Sequence, residues 1–441
     1  MFKTLKNAWR VPDLKKKLLF TLLIVVLYRL GANIPVPYVS PSIFADASAI
    51  AGGTILSFLN ILSGEALGKA TLLALGVSPY ITASIVIQLL TIAIPALERW
   101  SKDGENGRKK ITALTRLITV ALALVTAVGY TFYLDGVSGA LVVDKLNFFQ
   151  GMIMVLCYCA GAALVMWLAE KINESGIGNG ISMILFANII AGTATVVGQL
   201  WYNVFNEGGF SGFNWVGLIC SLVCIVIFLG MIVLIVWMSD AERRIPIQYA
   251  KRVVGRKMYG GQNTHLPLKV NMSGVMPIIF ANSIVAILPT IASFMPKSGF
   301  ATWVNKWFNY NTWPYFVVFL GLLIAFAFFY VMISFNPVEV ANNIKNNGGA
   351  IPGIRSGRPT VEFVKKVLNR VTLVGALLVA FIACFPMLLT NITQYFSSVA
   401  GMFSVLSFGG SSLMIVVGVA LETTRELEAQ MSLRNYKGFL D

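Results

Sequence analysis

Residues 54–70 read TILSFLNILSGEALGKA, and their length decides what kind of fold surrounds them. The stretch opens as a membrane span would and stops after about two turns at Ser63-Gly64-Glu65, before apolar sequence resumes at Thr71. A run of ~9 apolar residues rising 1.5 Å each reaches only ~14 Å, less than half of a bilayer's ~30 Å hydrocarbon core. Such a helix cannot span. Gly52-Gly53 and Gly64 supply flexible joints at its ends, while Ser57 and Asn60 dilute its apolar face. These residues fit a re-entrant segment folded back into a bundle, or an interfacial helix on the outer leaflet.

Working outward, 57% of the 441 residues are hydrophobic and 12% charged, far more apolar than a soluble core requires. A window of about 20 residues picks out ten spans, near 18–36, 71–95, 111–134, 148–169, 180–201, 214–238, 274–294, 314–335, 371–390 and 402–421. The basic N-terminus lacks a short apolar region with a cleavage site, so the first span is expected to be retained.

Charge alternates between the loops. Lys3, Lys6, Arg10, Lys15, Lys16 and Lys17 precede the first span, and Arg99, Lys102, Arg108, Lys109, Lys110 and Arg116 follow the second. The loop after the sixth span, about 240–273, carries Arg243, Arg244, Lys251, Arg252, Arg256 and Lys257; that after the eighth, about 336–370, carries Arg355 and Arg358. All but a few of the 34 basic residues thus fall on one side, which the positive-inside rule makes cytoplasmic. Both termini are expected there, in a multi-pass protein of the cytoplasmic membrane. Arg29, near the outer end of the first span, is expected to snorkel outward. The five cysteines lie in apolar runs and read as small core residues.

The missing chemistry narrows the function. His265 is the only histidine, so no HExxH zinc helix is possible, and no P-loop or dinucleotide fingerprint is present. GVSG at 136–139 and GFSG at 209–212 sit in outer loops without a histidine and read as coincidence. No cofactor and no enzymatic activity are expected; an energy source must come from a partner. Glycine-broken helices in two sets of five also suit a small-solute secondary transporter with inverted repeats, but Glu98, Glu170, Asp240 and Glu422 stand at span ends, leaving no mid-depth coupling group.

One set of motifs runs through the chain in order: GANIPVP at 31–37, ALGVSPYITASIVIQLLT at 74–91, GIGNGIS at 176–182, THLPLKVNMSGVMPIIFA at 264–281, NPVEVANNIK and PGIR within 336–355, and FGGSSLMI at 408–415. In these the chain resembles the SecY/Sec61-alpha family, the channel-forming subunits of protein translocons. The resemblance implies an all-α membrane protein, ten transmembrane helices in two pseudo-symmetric halves, 1–201 and 202–441, around a central pore. It makes 54–63 the plug, with Ile55, Leu56, Phe58, Leu59, Ile61 and Leu62 as its apolar residues. It implies a pore ring of Ile81, Ile85, Leu185, Ile189, Ile279 and Ile415. Each pair at i, i+4 projects from one helix face, although taken alone these residues would be ordinary packing. Leu185 replaces an isoleucine common in the family.

The resemblance further implies a lateral gate between the second and seventh spans, where Thr82, Gln88, Asn282 and Ser283 are polar. These side chains could hold the seam, or merely satisfy local backbone. In the sixth loop, RIPIQYAKR and THLPLKV alternate and are joined by turn-prone Tyr259-Gly260-Gly261-Gln262, which predicts a projecting hairpin. The family's cytoplasmic loops dock the ribosome and the SecA ATPase, with the arginine matching Arg355 central. The same basic residues also suit anionic lipid. SecE and SecG subunits, unfolded preprotein with its signal sequence, and membrane lipids complete the implied partners.

Overall fold

The computed structural model describes residues 2–40, 60, 63–136, 140–142, 147–205, 214–249, 252–254, 257–259, 263–293, 298–308, 312–393 and 410–437. The plug residues Ile55, Leu56, Phe58, Leu59, Ile61 and Leu62, the start of the tenth predicted span and the turn at 260–262 lie outside these.

A helix stands at each of the ten predicted positions: α2 (Pro12–Gly31), α3 (Ser78–Ala93), α5 (Gly104–Gly136), α6 (Phe148–Ser175), α7 (Gly180–Phe205), α8 (Trp215–Asp240), α9 (Met276–Ser293), α11 (Trp313–Ser334), α13 (Arg358–Thr393) and α14 (Gly410–Lys437). Six helices among the described residues are long and apolar enough to cross a bilayer unaided. Four shorter helices were not foreseen: α1 (Phe2–Arg10), α4 (Pro95–Lys102), α10 (Gly299–Trp307) and α12 (Pro337–Asn346). α4 exists because Pro95 cannot donate into α3, so the chain turns by 103° there and restarts with proline in the first turn.

The second span begins at Ser78 rather than Thr71. From Ser63 to Val77 the chain runs in turns, with Gly64, Glu65, Ala70 and Gly76 all at positive φ, and helix starts where Pro79 fits the first turn. Irregular backbone is tolerated at this depth only when its polar groups find partners within the protein. The Tyr130 hydroxyl of α5 donates to the Leu67 carbonyl, and the Tyr158 hydroxyl of α6 to that of Ala70 at 3.3 Å. Arg29 Nη1 donates to the Gly64 carbonyl at 2.7 Å, so this cation turns inward instead of snorkelling to the surface. Gly161 lets α6 approach closely: a Cβ there would lie 2.0 Å from the Leu72 carbonyl oxygen.

Packing follows two groupings. α5 lies against α3, α4 and α6, and α6 against α2 and α7; α11 lies against α9 and α13, and α14 against α8 and α13. The groupings meet where α3 and α5 touch α9, and again where α7 touches α8 and α14. One large apolar cluster runs through the centre with residues from both, and a second fills the space between α5, α6 and the 63–77 turns.

The loops after α8 and α11 contribute the strands. β1 (Glu242–Tyr249) and β4 (Asn263–Lys269) pair antiparallel, from Glu242 opposite Lys269 to Gln248 opposite Asn263, as the alternation predicts. Between them in the chain lies a second antiparallel ribbon of β2 (Arg252–Val254) and β3 (Lys257–Tyr259), which the expected simple hairpin did not include. β5 (Gly349–Ala350), from the other long loop, adds to β1, making one sheet ordered β4-β1-β5.

Candidate functional site

The six predicted collar residues share one apolar cluster. Ile81 and Ile85 stand one turn apart on α3 and Leu185 and Ile189 on α7; Ile279 comes from α9 and Ile415 from α14. All are buried, between 1% and 7% exposed. Four helices drawn from both groupings thus contribute to this cluster aliphatic side chains that carry no donor or acceptor.

At the α3/α9 seam the polar residues behave differently from one another. Thr82 Oγ1 donates to the Ser78 carbonyl at 3.0 Å and Ser283 Oγ to that of Ile279 at 2.8 Å, each within its own helix. Gln88 is exposed. Asn282 is 6% exposed, and its Nδ2 is buried without a hydrogen-bond partner among the described residues. Thr82 and Ser283 therefore bond within their own helices, and the unpaired Asn282 donor is of a kind that costs about 1–3 kcal/mol.

The β4-β1-β5 sheet has its own small core of Ile245, Leu268, Ile351 and Val364, with Phe335, Ile354 and Phe363 packed around it. Arg243 and Arg244 point to solvent from β1, where Arg244 Nε donates to Glu242 at 2.6 Å. Beyond β5, Gly353 sits at φ +81°, and the Thr360 hydroxyl donates to the Arg355 carbonyl at 2.9 Å. This fixes the backbone under Arg355, which is exposed, as is Arg358, 3.5 Å from Glu362. Arg252 and Lys257 lie on β2 and β3, while Lys251 and Arg256 fall outside the described residues. Among the described residues no cluster of His, Cys, Asp or Glu could hold a metal ion.

Sequence reasoning missed the partner of Arg29, the pairing of the two long basic loops, and the two-point contact of Arg116 with Glu170. Arg29 and Gly64 lie 35 residues apart, and no spacing rule joins them.

Comparison with known proteins agrees with this geometry. The SecY family model matches residues 71–424. The protein translocase subunit SecY of Streptomyces griseus is 44% identical over 452 residues, covering 100% of both chains. Among solved structures, one described as a protein-conducting channel superposes with TM-score 0.63 at 19% identity, covering 95% of this chain and 92% of that one. Sec61 from a canine ribosome-channel complex of the endoplasmic reticulum gives TM-score 0.58 at 17% identity, with coverage of 95% and 92%. The family match and the end-to-end identity together place the chain in the SecY family, whose members are protein translocase subunits.

Proposed function

We propose that this chain forms the membrane channel of a protein translocase, passing unfolded polypeptides across the cytoplasmic membrane and releasing apolar helices sideways into lipid. The observation that supports this is that Ile81, Ile85, Leu185, Ile189, Ile279 and Ile415, from helices of both groupings, are all buried members of one apolar cluster. The halves, 1–201 and 202–441, part around that collar, with the α3/α9 seam as the lateral exit and 54–63 as the plug. Both termini lie in the cytoplasm with the basic loops. Kinship with protein translocase subunits leaves the solute-transporter alternative without support.

The chain hydrolyses nothing itself, so movement is driven from outside. The exposed Arg243, Arg244, Arg355 and Arg358 suit a partner rich in phosphate or carboxylate, as ribosomal RNA and an acidic motor surface are. The canine relative's ribosome complex supports the first, and SecA is the second. SecE and SecG complete the membrane complex. The deciding experiment stalls a preprotein during translocation and crosslinks it to photoreactive groups placed along residues 81–91. Adducts at Ile81 and Ile85 are expected. Adducts confined to lipid-facing positions would overturn the pore assignment.

A further inference from the structure

A cation inside the first span needs a reason to be there, and its surroundings supply one. Arg29 stands in the last turn of α2 with its guanidinium on the Gly64 carbonyl. Its neighbour Tyr28 is fully buried, and the Tyr28 hydroxyl accepts a hydrogen bond from Asn188 Nδ2 of α7 at 2.9 Å. Asn188 is itself fully buried. Gly64 completes the group. It adopts φ +66°, and a Cβ built there would lie 2.7 Å from Arg29 Nη1 and 2.8 Å from Asn188 Oδ1. Three separate segments therefore interlock: α2 through Tyr28 and Arg29, the turns before α3 through Gly64, and α7 through Asn188.

Both segments held against α2 lead directly to the collar. From Gly64 the chain runs through turns pinned at Leu67 and Ala70 by Tyr130 and Tyr158, then enters α3, whose first turns carry Ile81 and Ile85. On α7, Asn188 sits next to Ile189 and one turn from Leu185. Aliphatic packing alone would let these segments slide, because it has no direction. Hydrogen bonds from a charged donor are directional, and the half-buried Arg29 guanidinium makes one to the Gly64 carbonyl.

We propose that Tyr28, Arg29, Gly64 and Asn188 form a positioning knot that sets the closed collar. It holds the lead-in to α3, and α7 itself, in the register that puts Ile81, Ile85, Leu185 and Ile189 into the central apolar cluster. These residues touch no substrate; they act through the four aliphatic side chains. The assignment rests on the channel function proposed above.

The test uses the complete translocase complex in planar bilayers, recording resting conductance without preprotein and, separately, translocation of a preprotein. Arg29→Met is expected to raise the time-averaged resting conductance about tenfold, the size expected from losing one hydrogen bond to a charged group. Arg29→Lys keeps a donor within reach of Gly64 and is expected to stay near wild type. Gly64→Ala is expected to match Arg29→Met, because the new methyl group displaces the guanidinium. Wild-type resting conductance in Arg29→Met, with only a lower melting temperature, overturns the knot. If Arg29→Met fails to accumulate in the membrane, Gly64→Ala and Asn188→Leu decide by the same readout. A wild-type complex that carries no polypeptide would instead sink the channel function, a failure distinct from that of the knot.

Discussion

Ala350 lies opposite Gln248, so the loop that follows α11 finishes the sheet begun by the loop that follows α8. Arg243 and Arg355, far apart in sequence, are consequently mounted on one body with a shared core of Ile245, Leu268, Ile351 and Val364. That body is attached to both α8, which runs into β1, and α13, whose Val364 packs in its core.

That junction leaves no room for a side chain at Gly349. A Cβ there would stand 3.0 Å from the Tyr249 ring and 3.1 Å from methyl groups of Ile247 and Ile344. Gly349→Val is expected to lift β5 from β1 at a cost of about 1–3 kcal/mol, as overpacking does. Hydrogen exchange across 242–249 should quicken while the transmembrane helices stay protected. Unchanged exchange in β1 would show that the two loops are not coupled through this pair.

Arg355 offers a sharper separation of docking from folding. Its side chain is exposed and its backbone is held by Thr360, so charge reversal disturbs no packing. Arg355→Glu is expected to abolish motor-driven translocation while the membrane complex assembles normally. Pull-down of the partner subunits and a translocation assay on the same vesicles would check both halves of the expectation. Normal secretion would remove Arg355 from the docking face.

How much of this was legible in sequence follows from the range of the forces involved. Helix positions were readable because bilayer thickness imposes a minimum apolar length on each span, and the β1/β4 register because alternate residues face the small core. The start of α3 was not: Thr71 to Gly76 are apolar enough for a span, but their backbone is satisfied by turn and long-range bonds, such as Leu72 N–H to the Ile34 carbonyl and Gly76 N–H to that of Leu73, both at 2.9 Å, which no local pattern announces. The collar was indistinguishable from any other aliphatic packing until family resemblance singled it out. The Gln248/Ala350 pairing joins two loops separated by three helices, and β5 is two residues long, too short to leave a periodic signal.

Arg116 and Glu170 join α5 to α6 at two points, Nε to Oε1 and Nη2 to Oε2, both at 2.8 Å. The glutamate side chain is 12% exposed and the arginine 49%, so solvent screens part of the attraction. Glu170→Gln keeps the shape and removes the charge, and is expected to lower stability by about 1–2 kcal/mol, below the figure for a fully buried pair. A double-mutant cycle of Arg116→Met and Glu170→Leu, read by thermal unfolding of the purified complex, isolates the pair. Strict additivity of the two changes would mean that the contact contributes nothing.

The collar itself makes the most direct prediction. Ile85 and Ile189 are 3% and 1% exposed, on α3 and α7. Replacing both by serine removes several methyl and methylene groups, each worth about 0.8 kcal/mol of burial, and puts hydroxyl groups where none stood. Water can then bridge the constriction, and the barrier to ions falls with it. The double variant is therefore expected to leak ions at rest and to admit preproteins with weak signal sequences, since less differential binding is needed to open a channel already biased toward opening. Ile85→Leu with Ile189→Leu supplies the control, because volume and dryness are conserved while shape changes. If the serine variant holds wild-type resting conductance in planar bilayers, the seal lies elsewhere. If the leucine control leaks as much as the serine variant, shape and not dryness closes the pore.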